Sequence, residues 1–289
     1  MIQRADQQLL NKKTKALLWG TPKDSGKTTG AMTMPATQES PILVLQYDTG
    51  NLTIPPGVDP ASVYVKVYPD VLGEAMDADT DKWQIKKAVA GQIITDLNTI
   101  YDAFNSGKPI QLIGDDGKPE APVPLPGGLI LDGLTQLHEF IVAWICSINK
   151  ITSFADESDA WKLWGRRTTI MMKYLRRAVS LPIHVAMTTW QTEEKIRNEK
   201  GAVIGIKAIW PDVGGQMDWK TAGLVDASLY CTSRKGVSGT QFIIKTKSSG
   251  FVQGVGVRGR YDLKDEVDVT IDAKTGIKPY QWIWSVMQQ

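Results

Sequence analysis

Lys27 and Thr28 are the residues of this 289-residue chain best placed to do chemistry. They stand in Leu17-Leu-Trp-Gly-Thr-Pro-Lys-Asp-Ser-Gly-Lys-Thr-Thr29: a short apolar strand, a tight polar loop, then Gly26-Lys27-Thr28-Thr29 opening a helix. Such a corner aims backbone N–H groups and a helix dipole at one point, which favours an anion. A lysine there sets a point charge against the β- and γ-phosphates of a nucleotide, and the hydroxyl after it reaches Mg²⁺. Phosphate contacts are therefore assigned to Thr21, Pro22, Lys23, Asp24, Ser25, Gly26, Lys27, Thr28 and Thr29. The spacing is irregular by one residue. The place of the motif's first glycine is held by Thr21, and Gly20 stands one position early. Either Thr21 replaces that glycine or the loop holds an extra residue. The plain alternative, an ordinary strand–turn–helix corner, leaves the polar loop and its lysine unexplained.

Phosphate chemistry with Mg²⁺ also needs a carboxylate at the tip of a neighbouring strand. Leu129-Ile-Leu-Asp132 is an apolar run ending in one. In open α/β sheets, ligands gather at the carboxyl ends of the strands. Asp132 is assigned to the metal together with Thr28; the alternative is that it caps the helix following Gly133. Asp48 follows the strand Leu43–Tyr47 and is the candidate to orient an attacking water. The stretch Asp-Thr-Gly-Asn51 is equally good turn chemistry. Glu193 and Glu194 are lesser candidates for the same role. Thr188-Thr189-Trp190-Gln191 ends a further strand, and Gln191 is chosen there to sense the γ-phosphate. The catalytic assignments are thus Asp48, Lys27 and Gln191. The alternative for the last is that these polar groups only terminate a strand.

Basic residues raise a second theme. Lys245 and Lys247 share a face if their segment is a strand, and two ammonium groups there can reach the nucleotide of a neighbouring subunit. An ordinary exposed face explains them as well, and Arg258 and Arg260 pose the same choice. The helix expected over 160–180 carries Lys162, Arg166, Arg167, Lys173, Arg176 and Arg177 opposite Trp164, Met171 and Leu175. Such a stripe is usually a solvated face. The segment Glu194–Gly215 holds Lys195, Arg197, Lys200, Lys207 and Trp210 among glycines. A mobile basic loop with an aromatic suits single-stranded nucleic acid, held by phosphate contacts and base stacking. A β-hairpin around Asn198–Gly201 is compatible with that.

These groups must be positioned by an α/β architecture. Strands are expected at Ala16–Trp19, Pro41–Tyr47, Ser62–Val67 (Val63, Val65 and Val67 on one face), Leu129–Asp132 and Pro182–Thr189. Helices are expected at Trp83–Phe104, Leu134–Ile151 and Ala160–Ser180. Continuous apolar runs such as Ile42-Leu-Val-Leu45 indicate parallel strands covered on both faces. Lys108–Gly128, with the turn Asp115-Asp116-Gly117, reads as a small inserted hairpin. After Trp190 strand-like runs dominate: Ala202–Ile209, Ala227–Thr232, Gln241–Lys247 and Val267–Ile271. The expectation is one domain over 1–289: a mainly parallel sheet flanked by helices, with a β-rich C-terminal part and an extension over 263–289. The net charge of +2 does not mark the whole chain as a nucleic-acid binder. Two cysteines, Cys146 and Cys231, sit in apolar runs and read as core thiols; with only His138 and His184, zinc chemistry and a histidine triad are disfavoured. The N-terminal stretch lacks the apolar core of a signal peptide, and no run is long enough to span a bilayer. The expected compartment is a reducing cytoplasm, with no membrane partner.

In their order these features resemble the RecA-like P-loop ATPases, and in particular the small phage-encoded members linked to single-strand annealing and recombination. The resemblance covers roughly residues 14–262. Thr21–Thr29 is similar to the family's Walker A, Leu129–Asp132 to its Walker B, Val185–Gln191 to its sensor strand, and Glu194–Gly215 to its DNA-facing loop. Lys245-Thr-Lys247 resembles the paired lysines that complete a neighbour's active site. Tyr47-Asp-Thr-Gly50 is similar to the family's Asp-Thr-Glu-Gly phrase, but the glutamate is missing. The resemblance implies ATP and Mg²⁺ as cofactors, single-stranded DNA as a partner, and a homo-oligomer with nucleotide at the subunit interface. It also implies the host cytoplasm as location if the protein is bacteriophage-encoded. The missing glutamate leaves open a second reading, a nucleotide-binding assembly or scaffold protein with little hydrolysis.

Overall fold

The computed structural model describes residues 13–48, 50, 52–68, 80–114, 117–151, 153–236, 239–258, 263–271 and 276–285. Thr49, Asn51, Asp115, Asp116 and Arg260, all named above, lie outside the described residues. The parallel core is made of β1 (Lys15–Gly20), β2 (Ile42–Gln46), β3 (Val63–Val67), β4 (Gly128–Asp132), β5 (His184–Arg197) and β7 (Ala227–Gly236). These pair in the order β7-β1-β5-β4-β2-β3, every pair parallel. β8 (Gly239–Lys245) and β10 (Glu266–Asp268) extend the β7 edge antiparallel. A two-residue β9 (Gly256–Val257) also pairs with β7. β6 (Val203–Pro211) pairs with the far half of β5, and its Ile209 also bridges Val252. The structure is thus the expected mainly parallel sheet flanked by helices, with a strand-rich C-terminal part.

Alternation along the strands builds two cores. Leu17 and Trp19 of β1 face one side, Ala16 and Leu18 the other, and all four are fully buried. The first core is closed by α2 (Thr80–Ser106), α3 (Leu134–Asn149) and α4 (Ala160–Val179). The second is closed by α1 (Lys27–Met32) and by a C-terminal segment carrying Tyr280, Ile283 and Trp284. That segment is a 3₁₀ turn at Lys278–Tyr280 followed by α6 (Trp282–Ser285). The remaining helix, α5 (Met217–Ala222), follows β6. Both cysteines are buried. No helix among the described residues is long and apolar enough to cross a membrane.

Several elements differ from the sequence expectation. β3 is the sheet edge, and its valine face points outward: Val65 and Val67 are exposed, whereas Lys66 is buried. The ammonium of Lys66 donates to the Ile113 carbonyl (2.9 Å) and pairs with Glu120 (2.7 Å), which lets the charged residue take the inner face. Lys108–Gly128 folds back on itself antiparallel, Ile110 bridging Val123 and Ile113 bridging Pro119, irregularly enough that the described residues form no continuous strand. β5 does not stop near Thr189 but runs on to Arg197 and pairs antiparallel with β6, so the hairpin read around Asn198–Gly201 is present as an ordered ribbon. Its turn is held by Asn198, whose side chain accepts from the N–H groups of Lys200 and Ala202, both at 3.0 Å.

Candidate nucleotide site

The loop hangs directly from the sheet. Gly20 is the last residue of β1, paired with Trp190 of β5 and Cys231 of β7. A Cβ on Gly20 would stand 2.0 Å from the Cys231 carbonyl oxygen. Gly20 is therefore a sheet residue, small because a neighbouring backbone closes on it. The loop proper is 21–26, and Thr21 holds its first position, with no residue inserted.

Thr21 works through its backbone. Its carbonyl accepts from the Lys27 ammonium and from the Ser25 hydroxyl (3.1 Å), while Lys27 also donates to Ser25 Oγ (2.8 Å). Asp24 and Gly26 sit in the left-handed region, with φ of 54° and 76°. Asp tolerates that conformation and Gly pays nothing sterically for it. These two reversals turn the chain from β1 into α1. Burial lowers the pKa of Lys27, and the nearby Asp132 and Asp48 partly restore it.

A cleft of about 310 Å³ opens over this loop. Pro22, Asp24, Ser25, Gly26, Lys27, Thr28 and Thr29 line it, together with Gln46, Asp48, Asp132, Thr188, Trp190 and Phe242. Thr21 and Lys23, assigned above to the phosphate, are not among its lining residues. Asp132 is buried at its floor. Its Oδ1 accepts from Thr28 Oγ1 (3.0 Å) and from Thr188 Oγ1 (2.6 Å), and Thr188 in turn accepts from the Gly133 N–H (2.9 Å). Burial raises the carboxyl pKa of Asp132, against the pull of the two hydroxyls and Lys27. Asp48 lines the cleft, and its carboxylate accepts from the Gly50 N–H (3.1 Å).

The residues present fit a nucleotide with Mg²⁺. Thr28 and Asp132 offer hard oxygen donors within hydrogen-bond distance of each other, the donor type this cation takes. The buried Gln136 Oε1, which has no partner among the described residues, lies behind Gly133 and does not line the cleft. No cluster of three His, Cys, Asp or Glu able to hold a metal occurs among the described residues. A cation bound by one carboxylate and substrate phosphates needs none.

The other assigned residues are placed differently. Gln191 does not line the cleft; its Oε1 accepts from the Tyr230 hydroxyl (3.0 Å). Alternation along β5 is the reason: Thr188 and Trp190 face the cleft, and Gln191 falls on the other face. At this end of β5 the cleft is lined by Thr188 and Trp190 instead. Glu193 and Glu194 lie farther along β5, against Trp210 and Trp219, with Glu194 paired to Lys207 (2.6 Å). Lys245 and Lys247 do not share a strand face, because β8 ends at Lys245. They pair with Glu266 (3.3 Å) and Asp265 (2.8 Å). Lys195, Arg197, Lys200 and Lys207 are all exposed on the ribbon. In α4, Arg167 is buried, stacked 5.2 Å from the Trp164 ring and donating to the Gly214 carbonyl (2.8 Å); it is not part of a solvated stripe. Arg258 is held on the Gly223 carbonyl. Sequence reasoning missed Gln46 and Phe242 as lining residues. Gln46 carried a signal, a polar residue ending the apolar run of β2; Phe242 carried none.

A strand-end loop gripping its own lysine, with a buried carboxylate hydrogen-bonded to the next threonine, defines the class: a P-loop nucleotide-binding domain. The family is shown by comparison. Residues 12–254 match the family described as an AAA domain, and the chain belongs to that family. A KaiC-like protein from the hyperthermophilic archaeon Pyrococcus horikoshii OT3 is a structural neighbour, 10% identical, with a TM-score of 0.39, over 90% of this chain and 86% of that one. No curated protein matches the chain.

Proposed function

We propose that this protein is a RecA-like ATPase that couples ATP·Mg²⁺ to the binding of single-stranded DNA during recombination or strand annealing, and that it works as a homo-oligomer. The observation that carries this reading is the course of β5. In the cleft its Thr188 bonds the carboxylate of Asp132; a few residues on, the same strand becomes an exposed ribbon bearing Lys195 and Arg197. Lys27 and Thr28 are the groups for phosphate and Mg²⁺, Asp132 supports the cation's waters, and Asp48 is the candidate to orient water. Bound Mg²⁺ supplies charge neutralisation on the phosphates. The ribbon alone is nearly balanced in charge, since Glu193, Glu194 and Glu199 accompany its four cations. α4 adds what the ribbon lacks. Residues 160–179 contain no acid, and Trp161 and Trp164 are exposed beside Lys162 and Arg166, a combination that suits stacked bases.

Lys27→Ala is expected to abolish ATP binding, measured by titration calorimetry. Truncating Lys195, Arg197 and Lys200 together is expected to weaken DNA binding and to flatten its salt dependence by about 2 in slope, at about 0.7 per phosphate contact on a single strand. Unchanged ATP affinity in the first variant, or an unchanged salt slope in the second, refutes the corresponding half. One observation favours a second reading, a nucleotide-binding scaffold with little turnover: no glutamate follows Asp48, and the Asp48 carboxylate is already engaged by the Gly50 N–H. Phosphate release with and without single-stranded DNA separates the two. DNA-stimulated turnover supports the ATPase, and ATP retained without turnover supports the scaffold.

A further inference from the structure

We infer that the C-terminal segment 276–285 completes the nucleotide site, with Tyr280 as the positioning residue of the phosphate loop. The segment lies beyond the matched family region, which ends at residue 254. Two glycines one helical turn apart record how closely it approaches. A Cβ on Gly26 would stand 2.9 Å from the Tyr280 hydroxyl oxygen and 3.2 Å from Phe242 Cδ1. A Cβ on Gly30 would stand 2.9 Å and 3.1 Å from two carbons of the Tyr280 ring. The ring therefore lies along the first turn of α1, with its hydroxyl end at the left-handed Gly26.

The segment is fixed in place. Trp284 donates its indole N–H to Thr33 Oγ1 just past α1 (3.0 Å), and its carbonyl accepts from Thr14 Oγ1 just before β1 (3.2 Å). His184 meets the Trp284 ring edge-on at 5.8 Å. Tyr280, Ile283 and Trp284 are all buried. The strap thus ties the residue before β1 to the residue after α1, with Tyr280 beside Gly26 and Phe242, both of which line the cleft.

That unit needs the support. α1 has six residues, far fewer than a helix needs to persist on its own, and its first turn has no side-chain cap. Gly26, where the chain must hold φ at 76°, is the residue type with the most backbone freedom to lose. Phosphate is gripped by N–H groups whose directions depend on this backbone. Tyr280 and Phe242 pack against Gly26 and restrict it to the gripping geometry. Without the ring the loop samples other geometries, and apparent affinity falls with the fraction that remains competent.

The proposal rests on the nucleotide reading of the cleft. It is tested in the full chain by ATP·Mg²⁺ affinity and by the urea unfolding midpoint, for Tyr280→Ala, Tyr280→Phe, Ile283→Ala and Gly30→Ala. Tyr280→Ala is expected to weaken binding at least tenfold under conditions where the fold is intact. Tyr280→Phe is expected to stay within threefold of wild type, because the ring does the positioning. Ile283→Ala empties a buried site in the same segment and is expected to lower the midpoint while leaving affinity within threefold. Gly30→Ala keeps the proposal testable should Tyr280→Ala fail to fold. It raises helix propensity, yet it pushes the ring off the loop, so it is expected to lose affinity. Wild-type affinity in Tyr280→Ala or in Gly30→Ala refutes the proposal, as does a parallel loss in Ile283→Ala. A wild type that binds no nucleotide refutes the underlying reading instead.

Discussion

Gly20→Ala tests how the phosphate loop is hung from the sheet. The added Cβ would lie 2.0 Å from the Cys231 carbonyl oxygen and 3.1 Å from its carbonyl carbon. Ordinary contact begins near 3.4 Å, so the first distance falls short by 1.4 Å (3.4 − 2.0). Neither atom can swing aside, because both belong to the backbone of β7, which is bonded to β1 on one side and β8 on the other. Relief requires β1 and β7 to part at Gly20. Overpacking of this kind costs about 1–3 kcal/mol, and the strained ladder hydrogen bond about 0.5–1.5 more. Loss of unfolded-chain freedom returns about 0.4–1 kcal/mol. The net expectation is a destabilisation of about 2 kcal/mol, within a range of about 0.5–4, read from urea unfolding followed by tryptophan fluorescence. Thr21→Ala is the control. It keeps the carbonyl that holds Lys27 and adds no glycine freedom, losing the hydroxyl's bond to the Lys23 carbonyl (2.9 Å), so a loss of about 0.5–1.5 kcal/mol is expected. Gly20→Ala as stable as wild type, or Thr21→Ala as damaging as Gly20→Ala, would refute the assignment of Gly20 to the sheet and Thr21 to the loop.

Asp132→Asn keeps the shape and the two accepted hydrogen bonds but removes the charge. Since burial disfavours that charge, the unfolding midpoint at pH 8 is expected not to fall, while ATP affinity drops at least tenfold with Mg²⁺ and changes little in EDTA. A second test concerns pH. Burial pushes the pKa of His184 from 6.5 down to about 4, and its Nδ1 accepts from the Thr14 N–H (3.2 Å). Between pH 6.5 and 4 the unfolded chain takes up this proton and the folded chain does not, so stability falls as the pH falls. His184→Asn retains an acceptor for Thr14 without titrating. Its stability relative to wild type is expected to rise by on the order of 3 kcal/mol between pH 7.5 and 4, measured by paired urea titrations. A constant difference across that range would refute the assignment of a neutral buried His184.

The sequence is most legible where both faces of a strand are covered. Ile42-Leu-Val-Leu45 and Leu129-Ile-Leu131 have no polar face to misplace, so a continuous apolar run suffices to locate them and the residue that ends them. Legibility fails where one polar side chain finds a buried partner. Lys66 takes the inner face of β3 because Glu120 and the Ile113 carbonyl meet it there, and Val65 and Val67 then point to solvent. Arg167 leaves its basic stripe because Trp164 and two loop carbonyls receive it. The far half of β5 was legible only through its turn at Asn198–Gly201. Paired only with β6 and exposed over most of its length, it carries no burial pattern to read.

The strand that was hardest to read is also the one that joins the two halves of the proposed function. Thr188 donates to Asp132 in the cleft, and the next residue, Thr189, donates to the Asp212 carbonyl on the other face of β5. Thr135, at the start of α3, donates to the same carbonyl (2.9 Å), and the Asp212 N–H returns to the Trp190 carbonyl (2.7 Å). The loop so held runs from the ribbon strand β6 into α5, and its next carbonyls, of Val213 and Gly214, receive Arg167 of α4. A shift of the carboxylate and Thr188 therefore needs to cross a single peptide to bear on the ribbon base and on α4 together. That contiguity places a route from cleft to ribbon through Thr188, Thr189 and Asp212, and it bypasses Gln191, whose side chain is spent on Tyr230. Coupling along it requires that the bound nucleotide favour one arrangement of Thr188 over another, since a ligand shifts an equilibrium only by its differential affinity for the two states.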